Sequence, residues 1–311
     1  IRIARATQKK RDKVAICGYH GWHDWYVAAN LNNKKNLDTH LLTGIEPLGV
    51  PSKLKNSTFT FEYNNFQQLK KLVNKNKDIG IIKMEVMRNT PPKNNFLKKV
   101  RKFADKKKII LIFDECTSGF RETNGGLHKK YNIKPDLAIF GKALGNGYPI
   151  NIILGKEWIM KNANKTFISS TFWSDRIGPT AAIKTLDEME KIQSWKIITS
   201  KGKKVIKFWK KMSKKYQLGL QISGLPSLCT FNFKHKDNQK IKTFINQEML
   251  KKGFLASNSV YLSTSHTNKI LRKYFKNLEQ VFKKCSVLMK TNEISKYLEG
   301  PVISAGFKRL N

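Results

Sequence analysis

Two carboxylates and one lysine follow short apolar runs in this chain, the places where a folded sheet presents reactive groups. Ile109 to Asp114 (IILIFD) ends in a carboxylate, and so does Ile79 to Glu85 (IGIIKME). Lys142 comes just after the run Leu137 to Phe140 and precedes a loop containing Gly145, Gly147 and Pro149. A carboxylate at the buried end of a strand is costly unless paired. A protonated ring nitrogen of a bound ligand would suit Asp114 as a partner; a helix N-cap or a buried ion pair is the structural alternative. A lysine among glycines, which let backbone come close to a planar ligand, can act as a nucleophile toward an aldehyde. Against that stands a surface lysine in a turn, a weighty alternative in so lysine-rich a chain.

The elements that must position these groups alternate in type. Val14 to Cys17, Ile79 to Glu85, Ile109 to Asp114, Leu137 to Phe140 and Ile150 to Leu154 are expected strands. Unbroken apolar runs of this kind suit strands covered on both faces of a parallel sheet. Asn95 to Lys107 places Phe96, Leu97, Val100, Phe103 and Ala104 at helical spacing, which makes a strand–helix–strand unit. The expected fold class is therefore α/β, with a mostly parallel sheet between helices. In such sheets functional groups gather at the carboxyl ends of strands, where Glu85, Asp114 and Lys142 all fall. A helix from about Pro179 to Ser194 leads to a smaller α+β region. There Leu218 to Ser223 and Leu228 to Phe233 read as strands, and Gln239 to Lys252 and Asn268 to Met289 as helices.

Composition narrows the function classes. The 311 residues carry 60 Lys and Arg against 22 Asp and Glu, a formal charge of +38. The basic residues are mostly lysines scattered along the chain, so a lysine-rich surface is favoured over a specific nucleic-acid site. Weak adhesion to polyanions at low salt is expected in either case. No stretch approaches the roughly 18 consecutive apolar residues of a membrane span. Cys17, Cys116, Cys229 and Cys285 lie far apart and form no CxxC pair, which fits a reduced, cytoplasmic setting. His20-x-x-His23-Asp24 has two metal-ligand types but no third partner, and no metal is expected there.

The segments Phe113 to Arg121 (FDECTSGFR) and Pro135 to Pro149 (PDLAIFGKALGNGYP), with Asp114 and Lys142 28 residues apart, together resemble the class III aminotransferases. Ser118 stands where that pattern has threonine. Gly18-Tyr19-His20-Gly21-Trp22 is similar to the family's aromatic-His-Gly turn, and Glu85 to the glutamate of its Glu-Pro strand end, with Val86 in place of the proline. Ser170-Thr171-Phe172 resembles its Ser-Thr-aromatic segment, although Trp173 to Pro179 departs from the usual continuation. Phe113 to Arg121 and Gly253 to Thr267 are most similar to the glutamate-1-semialdehyde 2,1-aminomutase branch.

The resemblance implies a pyridoxal 5'-phosphate (PLP) enzyme of transferase fold type I, with a large domain over residues 1–195 and a small α+β domain over 196–311. Lys142 would hold the cofactor aldehyde and move protons, and Asp114 would pair with the ring nitrogen. Tyr19 and Cys116 would lie on the two ring faces. Thr171 would reach the phosphate of a neighbouring subunit, with His20 and Glu85 as further cofactor contacts. A homodimer with a shared active site is implied, acting on a small amino acid or amino-aldehyde. Relatives also have roughly a hundred residues before the position of Ile1, a domain-sized segment. It carries a phosphate-binding turn at a helix N-terminus, so the present chain is expected to lack part of its site and to be poorly active alone. An epimerase or decarboxylase on the same fold, and a non-catalytic basic binding protein, remain alternatives.

Overall fold

The computed structural model describes residues 1–40 and 42–306. The chain divides into two compact units, Ile1–Ile192 and Gln193–Ala305. In the first, helices α1 (Arg2–Gln8), α2 (Asp24–Val27), α3 (Phe66–Lys75), α4 (Phe96–Lys107), α5 (Glu157–Met160) and α6 (Ile177–Ile192) accompany six strands. The strands are β1 (Lys13–Cys17), β2 (Thr58–Thr60), β3 (Ile79–Glu85), β4 (Ile110–Asp114), β5 (Leu137–Phe140) and β6 (Ile152–Gly155). They form one sheet in the order β2-β1-β3-β4-β5-β6. All pairings are parallel except β5 with β6.

Strands β3 and β4 are buried along their whole length, as strands between two helical layers must be. Register carries the alternation of faces from strand to strand. Ile16 pairs with Lys83, Lys83 with Ile112, and Glu85 with Asp114. One face therefore carries Val14, Ile16, Ile81, Ile110, Ile112 and Leu137, which pack with Ile3 and Ala4 of α1 and Ile159 of α5. Lys83 is set into that apolar face. Helix α4 buries Phe96, Leu97, Val100, Phe103 and Ala104, the residues whose spacing predicts it.

The second unit holds α7 (Ser194–Lys215), α8 (Asn238–Lys251) and α9 (Asn268–Thr291) with an antiparallel sheet of β7 (Leu220–Ser223), β8 (Leu228–Phe233) and β9 (Ser259–Tyr261). Its core gathers Val205, Trp209, Phe231, Phe244 and Phe282.

The structure differs from the sequence-based expectation in the long helices. The single helix expected from about Pro179 to Ser194 is α6, and a second helix of 22 residues, α7, follows it. Lysines fill the exposed positions of α7 and Gly202 breaks its apolar pattern, which hides in the sequence the stripe of Ile198, Val205, Trp209 and Met212. The glycine is there because a Cβ at residue 202 would fall 1.8 Å from the Pro226 carbonyl oxygen.

Candidate functional site

The carboxyl ends of β1, β3, β4 and β5 lie side by side, and six of the seven expected site residues lie at or just beyond them: Tyr19 and His20 after β1, Glu85 at the end of β3, Asp114 and Cys116 at and after the end of β4, and Lys142 after β5. Asp114 ends β4 and accepts hydrogen bonds on both oxygens. Its Oδ2 lies 3.0 Å from His20 Nδ1 and 3.1 Å from Lys83 Nζ, while Oδ1 accepts from the Cys116 N–H at 3.2 Å. Burial alone would raise this carboxyl, but the His20 hydrogen bond and the Lys83 charge outweigh it and hold Asp114 well below the usual carboxylate range. His20 is pushed the other way: burial, reinforced by Lys83, lowers its pKa despite the Asp114 hydrogen bond. A neutral His20 and a cationic Lys83 thus stabilise an ionised Asp114. The His20 ring also packs against Trp25 and Tyr26.

Lys142 follows β5 and begins a short 3-10 turn, Lys142–Leu144. Its backbone takes φ 47, a left-handed conformation that is uncommon for a side chain of this size and that clusters at functional sites. Its Nζ donates to Thr117 Oγ1 at 2.8 Å. Cys116 is half-buried in the same loop, and burial, then Asp114, push its thiol up to about 12, so it is neutral.

The loop after β4 is pinned from beneath by Glu115, which is fully buried. Glu115 Oε1 accepts from the His128 N–H at 3.0 Å and lies 2.9 Å from His128 Nδ1, and Oε2 accepts from Ser118. The Glu115 N–H donates to the Ile139 carbonyl at 2.8 Å, tying this loop to β5. At the opposite end of the sheet Asp136 bridges Arg101 of α4 (2.9 Å), the Leu111 N–H (2.8 Å) and Lys156 (2.6 Å). The Pro-Asp element of the sequence pattern therefore fixes the start of β5, and so where Lys142 emerges.

Beyond β1, Tyr19 is half-buried and its N–H donates to Glu85 Oε2 at 3.1 Å. Gly18, at φ +107, makes this approach possible: a Cβ there would fall 2.4 Å from Glu85 Oε2. Burial raises the Glu85 carboxyl, although Arg88 and the Tyr19 N–H draw it back. The Arg88 guanidinium lies 3.7 Å from Glu85 and 5.7 Å from the centre of the Tyr19 ring. Glu85, Arg88, Tyr63, His40, Asn89 and Thr90 line a cavity of about 360 Å³ beside these groups. His40 Nδ1 accepts from the Gly18 N–H at 3.0 Å, and burial, then His20, lower its pKa to about 4.

Thr171 is not brought to this cluster. It lies in an exposed turn, between Ile168 and Ile177, that presents Phe172 (76% exposed) and Trp173 (72%) to solvent. Lys83, Glu115, His128, Arg88 and His40 went unnoticed in the sequence. A lysine inside the run IGIIKME, at a position whose neighbours are all apolar, was the available signal for Lys83. Metal-ligating groupings of three or more His, Cys, Asp or Glu are absent among the described residues, and His23 stacks on Trp22.

A family model described as "Aminotransferase class-III" matches residues 1–281. The 3-aminobutyryl-CoA aminotransferase of Cloacimonas acidaminovorans is 36% identical over 242 residues, 75% of this chain and 54% of that protein. The glutamate-1-semialdehyde 2,1-aminomutase of Methanosphaera stadtmanae is 30% identical over 305 residues, 90% of this chain and 70% of that protein. The chain thus spans about half the length of the first of these relatives. The FumI protein of Sphingopyxis sp. MTA144, solved with PLP, superposes with a TM-score of 0.80 at 21% identity, covering 96% of this chain and 69% of that one. An omega-transaminase from Sphaerobacter thermophilus gives 0.79 at 16% identity, covering 92% and 71%. These likenesses give the fold: a mostly parallel central sheet between helices, with a smaller antiparallel sheet in the second unit.

The side chains present fit PLP. A lysine amine is available for an aldehyde, and an ionised carboxylate at the neighbouring strand end is available for a ring nitrogen. A neutral thiol follows that carboxylate by two residues, and a tyrosine follows the adjacent strand β1.

Proposed function

The chain belongs to the class-III aminotransferase family, and from that premise we propose that it transfers amino groups with PLP held on Lys142. The observation that carries the reading is Asp114, kept ionised at the end of β4 while Lys142 leaves the next strand hydrogen-bonded to Thr117. PLP supplies an aldehyde that captures amines and a conjugated ring that takes up the electron pair left at the substrate carbon. The chain's residues do the rest. Lys142 Nζ would hold the cofactor aldehyde and, when free, would carry a proton to and from the substrate carbon as a general base. Thr117 Oγ1 orients that amine. Asp114 would offer negative charge to the ring nitrogen, and Tyr19 and Cys116 would contact the two ring faces.

Glu85 and Arg88 face the cavity beside Tyr19, where a substrate carboxylate or carbonyl could meet the guanidinium. The substrate is a small amino acid or amino-aldehyde, with glutamate-1-semialdehyde the first to try. The 36% identity to a 3-aminobutyryl-CoA aminotransferase favours an amine on a thioester-linked acyl group as the second. Thr171 acts across a homodimer interface in this reading. The exposed Phe172 and Trp173 beside it are the type of apolar surface that a second copy covers. Four unpaired cysteines suit a reducing compartment such as the cytoplasm, and among the described residues no helix is long and apolar enough to cross a membrane.

The test is to add PLP to the full-length protein, reduce with borohydride and map the labelled peptide. A label on Lys142, with amino transfer from a trial amine to a keto acid, supports the proposal. A folded protein with no label rejects it and favours a non-catalytic binding protein. Sedimentation of the same sample as a monomer would reject the shared site.

A further inference from the structure

The cavity of about 360 Å³ beside Tyr19 gathers polar side chains that the fold itself leaves unused. It lies at the carboxyl ends of three neighbouring strands: Glu62 follows β2, Gly18 follows β1 and Arg88 follows β3. Thr39, Glu62, Arg88, Asn89 and Thr90 line it, and none of these side chains has a hydrogen-bond partner among the described residues. Arg88 is held by its 3.7 Å approach to Glu85 and by its place over the Tyr19 ring, which leaves its N–H groups free to donate. His40 adds a donor: its Nδ1 accepts from the Gly18 N–H, so the proton of the neutral ring sits on Nε2. The cavity adjoins the reacting amine, since the Lys142 charge is among those that act on Glu85.

These groups define what complements them. An ionised carboxylate only accepts hydrogen bonds, a guanidinium only donates them, and a hydroxyl does both. A substrate carboxylate or carbonyl satisfies Arg88 but gives Glu62 nothing, and a carboxylate near Glu62 is repelled by it. An alkyl chain displaces water from every one of these groups and replaces none of its hydrogen bonds. A chain with hydroxyls donates to Glu62, accepts from Arg88 and His40, and does either with Asn89 and the two threonines. We propose that this cavity receives the chain of the substrate and selects an amino acid or amino-aldehyde that carries hydroxyl groups beyond the reacting carbon. This rests on the site reading above and narrows its substrate class. The volume lies near the lower end of the roughly 300–1,000 Å³ of small-molecule sites, which suits a chain of a few carbons.

The experiment loads the full-length protein with PLP and follows the cofactor's absorbance as it takes an amino group from homoserine or from norvaline, which differ only in a terminal hydroxyl or methyl. The second-order rate constant for homoserine is expected to exceed that for norvaline by about tenfold or more, the effect of one hydrogen bond to a charged group. Glu62 is exposed, so Glu62→Ala should leave the fold intact. It should lower the homoserine constant by about the same factor and leave the norvaline constant unchanged. Equal constants in the wild type overturn the inference whatever the variant does. A Glu62→Ala protein that slows toward both amines alike, or toward neither, overturns it too, and so does a protein that borohydride labels at Lys142 but that does not react with homoserine. Failure to label Lys142 is a different result, which removes the site reading and this inference with it.

Discussion

Lys83 and Asp114 form a buried ion pair between neighbouring strands, and His20 Nδ1 contacts the same carboxylate oxygen as the Lys83 ammonium. Breaking such a pair on one side leaves an uncompensated charge in the core, whereas replacing both partners with apolar groups is often close to neutral. Asp114→Ala should therefore cost about 3–5 kcal/mol of stability. Lys83→Met with Asp114→Leu should recover most of that loss while removing the partner of the PLP ring nitrogen. Urea unfolding of the three proteins checks this. A double variant no more stable than Asp114→Ala would mean that the pair is not the source of the cost.

Gly18 is required both by its conformation and by its neighbour. Its φ of +107 is a region that other residues occupy only under strain, and a Cβ would press on Glu85 Oε2. Gly18→Ala should lose about 1–3 kcal/mol from strain, with a further loss from displacing Glu85. Adding Glu85→Ala removes the clash and leaves the strain, so the double variant should be more stable than the sum of the single effects. Additive losses in a double-mutant cycle would show that the two residues do not press on each other.

The sheet was legible in the sequence because β4 and β5 are unbroken apolar runs and β3 is one apart from Lys83, and the site because Asp114 ends β4 and Lys142 comes just after β5. Strand β2 was missed because three residues, Thr58–Thr60, hold too little pattern to read. Helix α7 was missed because Gly202 and its lysines mask its apolar stripe. Lys83 and Glu115 could be seen as letters but not as partners. Their meaning lies in register and burial, which place Lys83 against Asp114, and Glu115 against His128 13 positions along the chain. Thr171 is the reverse case: readable by resemblance, yet in this chain it stands apart in an exposed turn.

Lys142 is exposed, so its replacement should leave stability nearly untouched while removing function. Lys142→Ala should lower amino transfer by at least about 10⁴-fold, the upper end of what a positioned acid–base group contributes, because the same amine also holds the cofactor. Thr117→Val, which removes only the hydrogen bond to Nζ, should cost less, about 10-fold, as expected for loss of a bond worth about 1 kcal/mol. Equal losses in the two variants, measured by single-turnover transfer at matched PLP occupancy, would argue against Lys142 as the reacting amine.

His40 should give the fold a pH dependence with a definite sign. Burial, then His20, lower its pKa to about 4 from an ordinary 6.5. Between those values the unfolded chain binds a proton that the folded chain refuses, so stability rises with pH across this window and falls on acidification through it. Below about 4 both states are protonated and the loss from His40 levels off. A shift of this size corresponds to about 3 kcal/mol at most. His20, also lowered by burial, adds a loss of the same sign, while the raised Glu85 works in the opposite direction. His40→Gln keeps an oxygen for the Gly18 N–H and removes only the His40 share. Urea unfolding of both proteins at pH 7 and pH 4.5 isolates it: the wild type should lose about 2–3 kcal/mol more than the variant between the two. Equal losses would mean that the His40 ring takes up its proton as readily in the folded chain as in the unfolded one.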